Sequence, residues 1–314
     1  MSESAGTPKK TAQRRTLAPP KISLVSDHPD VIRAHRRGSL LMSIPGAIGT
    51  LIAPFYVWRY GISAVDIGLF LGMYWLTMSV GLCAGYHRHF THSAFTAPKA
   101  LRWFMAICGS MAAQGSLSYW VAIHRRHHAF EDMEGDPHSP NLHGESSSER
   151  RRGLWHGHFG WTLSYGLPNA THYCPDILRE PFLMSISRNY KRWVLIGLLV
   201  PALIGGILSA SWPGAFSGVL WGGLVRSCVV SNSIWSLNSF CHRFGSRLYP
   251  TDDQSTINAW LALPMLRESW HNNHHAFPSS ARHGLGRWQF DATYVLIWTL
   301  EKVGIASKVN GPKL

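Results

Sequence analysis

The sequence is poor in cysteine, with five in 314 residues (Cys83, Cys108, Cys174, Cys228, Cys241), and no pair has CxxC spacing. That excludes a cysteine-ligated zinc module and an iron–sulfur cysteine set, and it predicts reduced thiols without a disulfide framework. A P-loop, a Gly-rich dinucleotide fingerprint and a serine-nucleophile motif are also missing, which removes the common nucleotide, flavin and acyl-serine chemistries. Acidic residues are scarce, 17 against 30 Lys and Arg, giving a net charge of +13. Such an excess would suit nucleic acid. Here, however, the basic residues sit in "PKKTAQRR", "RAHRR", "RRHH", "ERRR" and "NYKRW", where they flank apolar blocks. Nucleic acid is therefore not the expected partner.

The apolar residues concentrate in four blocks, about 39–58, 61–85, 193–210 and 214–235. Each approaches the roughly 20 residues a helix needs to cross a bilayer. The turns near Tyr60 and Trp212 carry only Arg59, so the positive-inside rule places the N-terminus, the 87–192 segment and the C-terminus in the cytoplasm. Lipid, including its anionic headgroups, is one expected partner. A fifth block, 100–123, is interrupted by Gly109, Gln114, Gly115, Ser116 and Ser118. If it crossed the bilayer, His92 and His124 would lie on opposite sides, so it is expected at the cytoplasmic interface. Asp66 and Arg226 fall inside apolar blocks and should face protein or the membrane boundary. Residues 1–37 read as a disordered basic tail and pre-membrane segment rather than a cleaved signal, 38–303 as one all-α membrane domain, and 304–314 as a C-terminal tail.

Histidine is abundant and clustered. "HRHFTH" occupies 87–92, "HRRHH" 124–128 and "HNNHHAFP" 271–278, while "NSFCHRFG" places Asn238 four residues before His242. On a helix, residues i, i+3 and i+4 share a face, so His124, His127 and His128 project together, as do His271, His274 and His275. His87 and His92 are five apart, about 140° around an ordinary helix, which predicts that they reach two different metals. His89, about 200° from His87, should point away. With His242 the set numbers nine imidazoles, enough for two metal ions. His28, His35, His143, His156, His158 and His172 read as ordinary polar residues. Because the clusters sit at the ends of apolar blocks, they favour chemistry at the membrane surface over a metal-binding or transport protein. Oxygen activation by a non-haem di-iron centre fits, and zinc hydrolysis is the runner-up from residues alone.

These boxes, with "DPHSP" at 136–140 and "WSLNSFCHRFG" at 235–245, resemble integral-membrane fatty-acid desaturases, closest to the acyl-CoA Δ9 (stearoyl-CoA type) branch in its bacterial form. The resemblance spans roughly 38–303. It implies four transmembrane helices in two hairpins beneath a cytosolic helical cap, in a bacterial inner membrane, holding two irons per chain. One iron would take His87, His128, His242, His271 and His275. The other would take His92, His124, His127 and His274, with Asn238 reaching it through a water. His138 would stay outside the ligand set, and Trp120 and Trp235 would lie along the acyl tunnel. The implied reaction uses O2 and two external electrons to introduce a cis double bond into a fatty-acyl chain; a related hydroxylase or acetylenase is the alternative. The donor would be a separate ferredoxin or cytochrome b5. Ala122 and Ile123 stand where animal-type members carry an Arg–Asp pair for coenzyme A, so acyl carrier protein or an acyl lipid joins acyl-CoA as a possible carrier. Arg267 and Ser269 replace glycines common in that family.

Overall fold

The structure, a computed structural model, describes residues 24–312. Four of its helices are long and apolar enough to cross a membrane: Pro29–Tyr60, Ala64–Thr91, Tyr190–Ser209 and Trp212–His242. Each covers one of the four apolar blocks to within three residues. Gly61, at φ 78°, stops the first helix, and Ser63 and Asp66 form a capping box that starts the second. The third helix ends at Ala210, which is left-handed at φ 46°. The first helix presents Leu51 and Phe55, each 72% exposed, and the third presents Leu203 and Ile207. Such continuous apolar faces suit lipid rather than water.

Block 100–123 is not one helix. Lys99–Met111 and Leu117–Phe130, of 13 and 14 residues, are separated by a break in which Ala113 and Gly115 take positive φ. Each is about 20 Å long, short of the hydrocarbon core. Together with Pro181–Arg188 they pack around the second long helix through Met78, Leu82, Tyr86, Met105, Leu117, Val121, Leu183 and Ile186.

The two charges within the apolar blocks, Asp66 and Arg226, are both buried inside protein. Asp66 caps its own helix through Ser63 and also accepts from Ser217. Arg226 is fully buried and spends its donors on three carbonyls: Gly222 (3.1 Å), Met111 (2.9 Å) and Gly197 (3.1 Å). Two of these need it. Met111 ends its helix, and Pro201 has no N–H to offer Gly197 four residues back. The third and fourth long helices also approach very closely, since a Cβ on Gly218 would lie 2.1 Å from the Pro201 carbonyl oxygen.

Two details depart from the expected all-α plan. Val25–Ser26 pairs antiparallel with Leu167–Pro168, because the extended residues before the first helix run beside another extended segment. Residues 304–310 are pinned rather than trailing: Thr96 and Ser307 exchange backbone hydrogen bonds, and Asn310 bonds to Ala94 and Ala281. Of the expected N-terminal tail, residues 1–23 lie outside the described residues, while the long helix already begins at Pro29.

Candidate metal centre

The second long helix is underwound from Trp75 to Thr91, with π-type turns. Hydrogen bonds of the i→i+5 kind, such as His92 N–H to the His87 carbonyl (3.2 Å), bring residues five apart onto one face. His87 and His92 therefore lie with ring centroids 5.0 Å apart, in one cluster. The expectation that they serve different metals rested on a 3.6-residue turn, and the wider π-type turns overturn it.

The nine histidines gather into two groups whose ligand atoms lie within 4.8 Å of one another: His87, His92, His124, His128 and His274, and His127, His242, His271 and His275. The allocation implied by the resemblance is thus rearranged. His87 and His128 join the first group and His127 the second. His124 and His128 are one turn apart with Nε2 atoms 3.2 Å from each other, whereas His127 turns toward Asp136. His89 joins neither group, and its Nδ1–H donates to the Phe95 carbonyl (3.0 Å).

Behind the imidazoles stand carboxylates that the motif reading missed. Glu268 binds His87 Nδ1 (2.9 Å), Glu131 binds His128 (2.6 Å), Asp136 binds His127 (3.0 Å), Asp132 binds His242 (2.8 Å) and Asp253 binds His275 (3.1 Å). Each directs the opposite nitrogen, Nε2, into a cluster. His283 was also missed; its ring lies 4.6 Å from His274 and 5.4 Å from His87. Four of the acids lie in the polar strings "EDMEGD" and "TDDQS", whose composition is that of loops, and Glu268 stands three residues before the third box.

Burial, reinforced by neighbouring imidazoles, holds His92, His124, His127, His271 and His274 well below the ordinary histidine range, so they are neutral donors at pH 7. His275 is the exception: burial opposes its charge, but Asp253 and Glu131 carry it up to about 10. Burial also opposes the ionised forms of Glu131, Asp132, Asp253 and Glu268, yet their histidine and arginine neighbours hold all four below the usual carboxylate range.

This arrangement fits metal ions. His242 gives its Nδ1 proton to Asp132, so its Nε2 lone pair faces His271 Nε2 at 3.1 Å, while charged His275 aims its Nε2–H at the same nitrogen, also at 3.1 Å. His271 Nε2 would have to donate to one neighbour and accept from the other, and one imidazole nitrogen cannot meet both demands. A similar conflict arises where His87 and His128 meet His274 Nε2 at 3.1 and 3.0 Å. The Nε2 atoms of His92 and His127 are buried without any partner. A cation within each group satisfies all of these lone pairs.

A cavity of about 680 Å³ reaches the first group. Trp120, Trp235, Asn238, Ile123, His124 and His138 line it, with Arg188, Lys191 and Arg192 among its other wall residues. Trp120 stacks on His124 (4.9 Å). His138 lies beside His127 (4.4 Å between rings), its pKa pushed down by burial. Ala122 and Ile123 are buried and apolar. Arg267, where the resemblance leads one to expect glycine, sits at φ 76°, the left-handed region that favours glycine.

The chain matches the family model described as fatty acid desaturase over residues 66–299. It is 48% identical to a hex-5-enoyl-[acyl-carrier protein] acetylenase of Moorena producens (strain JHB), over 87% of this chain and 85% of that one. It is 35% identical to an sn-1 stearoyl-lipid 9-desaturase of Anabaena variabilis (84% and 89% covered) and 36% identical to an icosanoyl-CoA 5-desaturase of Limnanthes douglasii (83% and 68% covered). Histidine groups, apolar helices and similarity agree, and the chain belongs to the fatty acid desaturase family.

Proposed function

We propose that this protein is a membrane di-iron oxidoreductase that removes two hydrogens from adjacent carbons of an acyl chain. The observation that carries the reading is the convergence of nine imidazoles into two groups, the first of which is reached by a cavity lined by Trp120 and Trp235. The first place would be held by His87, His92, His124, His128 and His274. The second would be held by His127, His242, His271 and His275, with Asn238 acting through a water from the cavity wall. Iron so held supplies an O2-derived oxidant strong enough for unactivated C–H bonds. The residues fix where that strength is spent: the carboxylates orient the imidazoles, and Trp120 and Ile123 keep an apolar chain against His124. The reaction balances as one dioxygen, two electrons and two protons consumed, two waters released and one C–C bond raised in order. Electrons come from a separate donor of ferredoxin or cytochrome b5 type. The four long helices form two hairpins in a bacterial inner membrane, with the histidine cap and both termini cytoplasmic.

Within the family, a carrier-protein or lipid-bound chain is favoured over the acyl-CoA Δ9 placement. Ala122 and Ile123 offer no charged partner for coenzyme A, and the relative at 48% identity is named for an acyl-carrier-protein substrate. That relative also favours a second reading, in which an alkene is carried on to an alkyne. Expression in a host with defined acyl chains, with mass spectrometric location of new unsaturation, tests both. A saturated feed should yield a cis-alkene; an alkenyl feed yields an alkyne only on the second reading. Unchanged chains beside iron-loaded folded protein would refute the proposal.

A further inference from the structure

The two histidine groups differ in the charge behind them. The four-histidine group is backed by Asp132 on His242, Asp136 on His127 and Asp253 on His275. All three acids are buried, with side chains at most 4% exposed. Their other hydrogen-bond partners are uncharged donors: the Gln254 N–H, the Asn141 amide and the Ser139 hydroxyl for Asp132, the His138 and Asp132 N–H groups for Asp136, and the Ser255 N–H and Thr251 hydroxyl for Asp253. No arginine or lysine forms an ion pair with them among the described residues. The five-histidine group is backed differently. Its buried acid Glu268 shares its charge with Arg88, which is also chelated by Asp291. Glu131 bonds to one histidine of each group, His128 at 2.6 Å and His275 at 3.2 Å, and so favours neither.

We propose that the two metal places are unequal, the four-histidine place holding its ion more tightly because three uncompensated carboxylates stand behind it. The inference rests on the metal reading above. One effect opposes it, since the other place has a fifth imidazole. That imidazole adds a neutral ligand and no charge, whereas the three buried acids place negative charge behind a site that becomes cationic when the ion binds, in a setting where screening is weak. Each carboxylate also strengthens the nitrogen it backs, because it withdraws the Nδ1 proton and leaves Nε2 more basic. His92, His124 and His274 have no such acid behind them among the described residues.

Ferrous-loaded full-length protein in detergent, challenged anaerobically with excess Fe(II) chelator, tests this. One equivalent should leave about tenfold or more faster than the other. Asp253→Asn and Asp132→Asn should each accelerate only the slow phase, by about 10–100-fold, and Glu268→Gln only the fast phase. Should those variants misfold, His92→Ala and His271→Ala each keep one place whole: the first should retain the slow equivalent, the second the fast. Two equivalents leaving in one phase, or a slow phase that answers to Glu268→Gln, would overturn the inequality and leave the metal reading standing. Protein that binds no iron would remove both.

Discussion

Glu268 holds His87 with one carboxylate oxygen and Arg88 with the other, so a single side chain fixes two successive residues of the second long helix. Arg88 completes its pairing on Asp291, the residue that caps helix Ala292–Lys302. The first histidine box is thereby tied to the far end of the chain through buried charge.

Arg88→Met should therefore be severe. It leaves Glu268 and Asp291 facing each other without their cation, a change worth about 3–5 kcal/mol for a buried pair. Denaturation in detergent should show the loss, and adding Asp291→Asn should restore part of it. A fully additive double mutant would mean that the two residues do not act as a pair.

His89 looks like its neighbours in "HRHFTH" but points to the Phe95 carbonyl instead of a cluster. His89→Ala should keep metal and substantial activity, while His87→Ala and His92→Ala should lose the iron of the five-histidine group and, with it, activity. Iron per folded protein and product yield decide the matter. A His89→Ala variant short of one iron would break the five-and-four grouping of the histidines.

Asn238 lines the same cavity as His124, and its side chain makes no hydrogen bond to protein among the described residues. Asn238→Ala should cut turnover by about 10–100-fold while leaving metal content nearly intact. Parallel loss of iron and turnover would make Asn238 a structural residue.

Arg226→Leu should lower thermal stability with little direct effect on chemistry. It strands the Met111 and Gly197 carbonyls, at about 1–3 kcal/mol each. Lysine at this position should recover only part, since one ammonium cannot span three acceptors as a guanidinium fork does. An unchanged melting temperature would remove this role.

Acid should destabilise metal-free protein before neutral pH is far behind. The histidines whose pKa burial lowers bind protons near pH 6.5 only after unfolding, so their contribution is full above that pH and is lost as pH falls below it. The lowered carboxylates act in the same direction at still lower pH. His275 runs the other way, its contribution full below about 6.5 and lost as pH rises through about 10. Unfolding midpoints measured from pH 7 to 4 should fall steadily; a flat profile would contradict the buried neutral histidines.

Much of this was legible from the chain. The apolar blocks located all four long helices, and three compact motifs with His242 supplied every member of the two groups. What the string could not convey was helical pitch: a period of 3.6 sends His87 and His92 apart, and only the underwound helix reunites them. The supporting acids were hidden for another reason. Glu131, Asp132 and Asp136 sit in a stretch with loop composition, and only folding shows that their side chains turn inward. Arg267 appeared as a departure from an expected glycine; its φ lies in the region that favours glycine.

His87 and His274 touch across 187 positions of sequence. A ribosome adding about 5–20 residues per second needs roughly 10–40 seconds to cover that distance. Throughout that interval the first group gathers His87, His92, His124 and His128 but lacks His274, and the second lacks its full set from the third box, so neither group can be completed as the chain grows. On the proposed reading, membrane insertion comes first and completion of the metal places second. A cell making this protein faster than it can deliver iron would accumulate inserted chains whose helices are in place and whose clusters are empty.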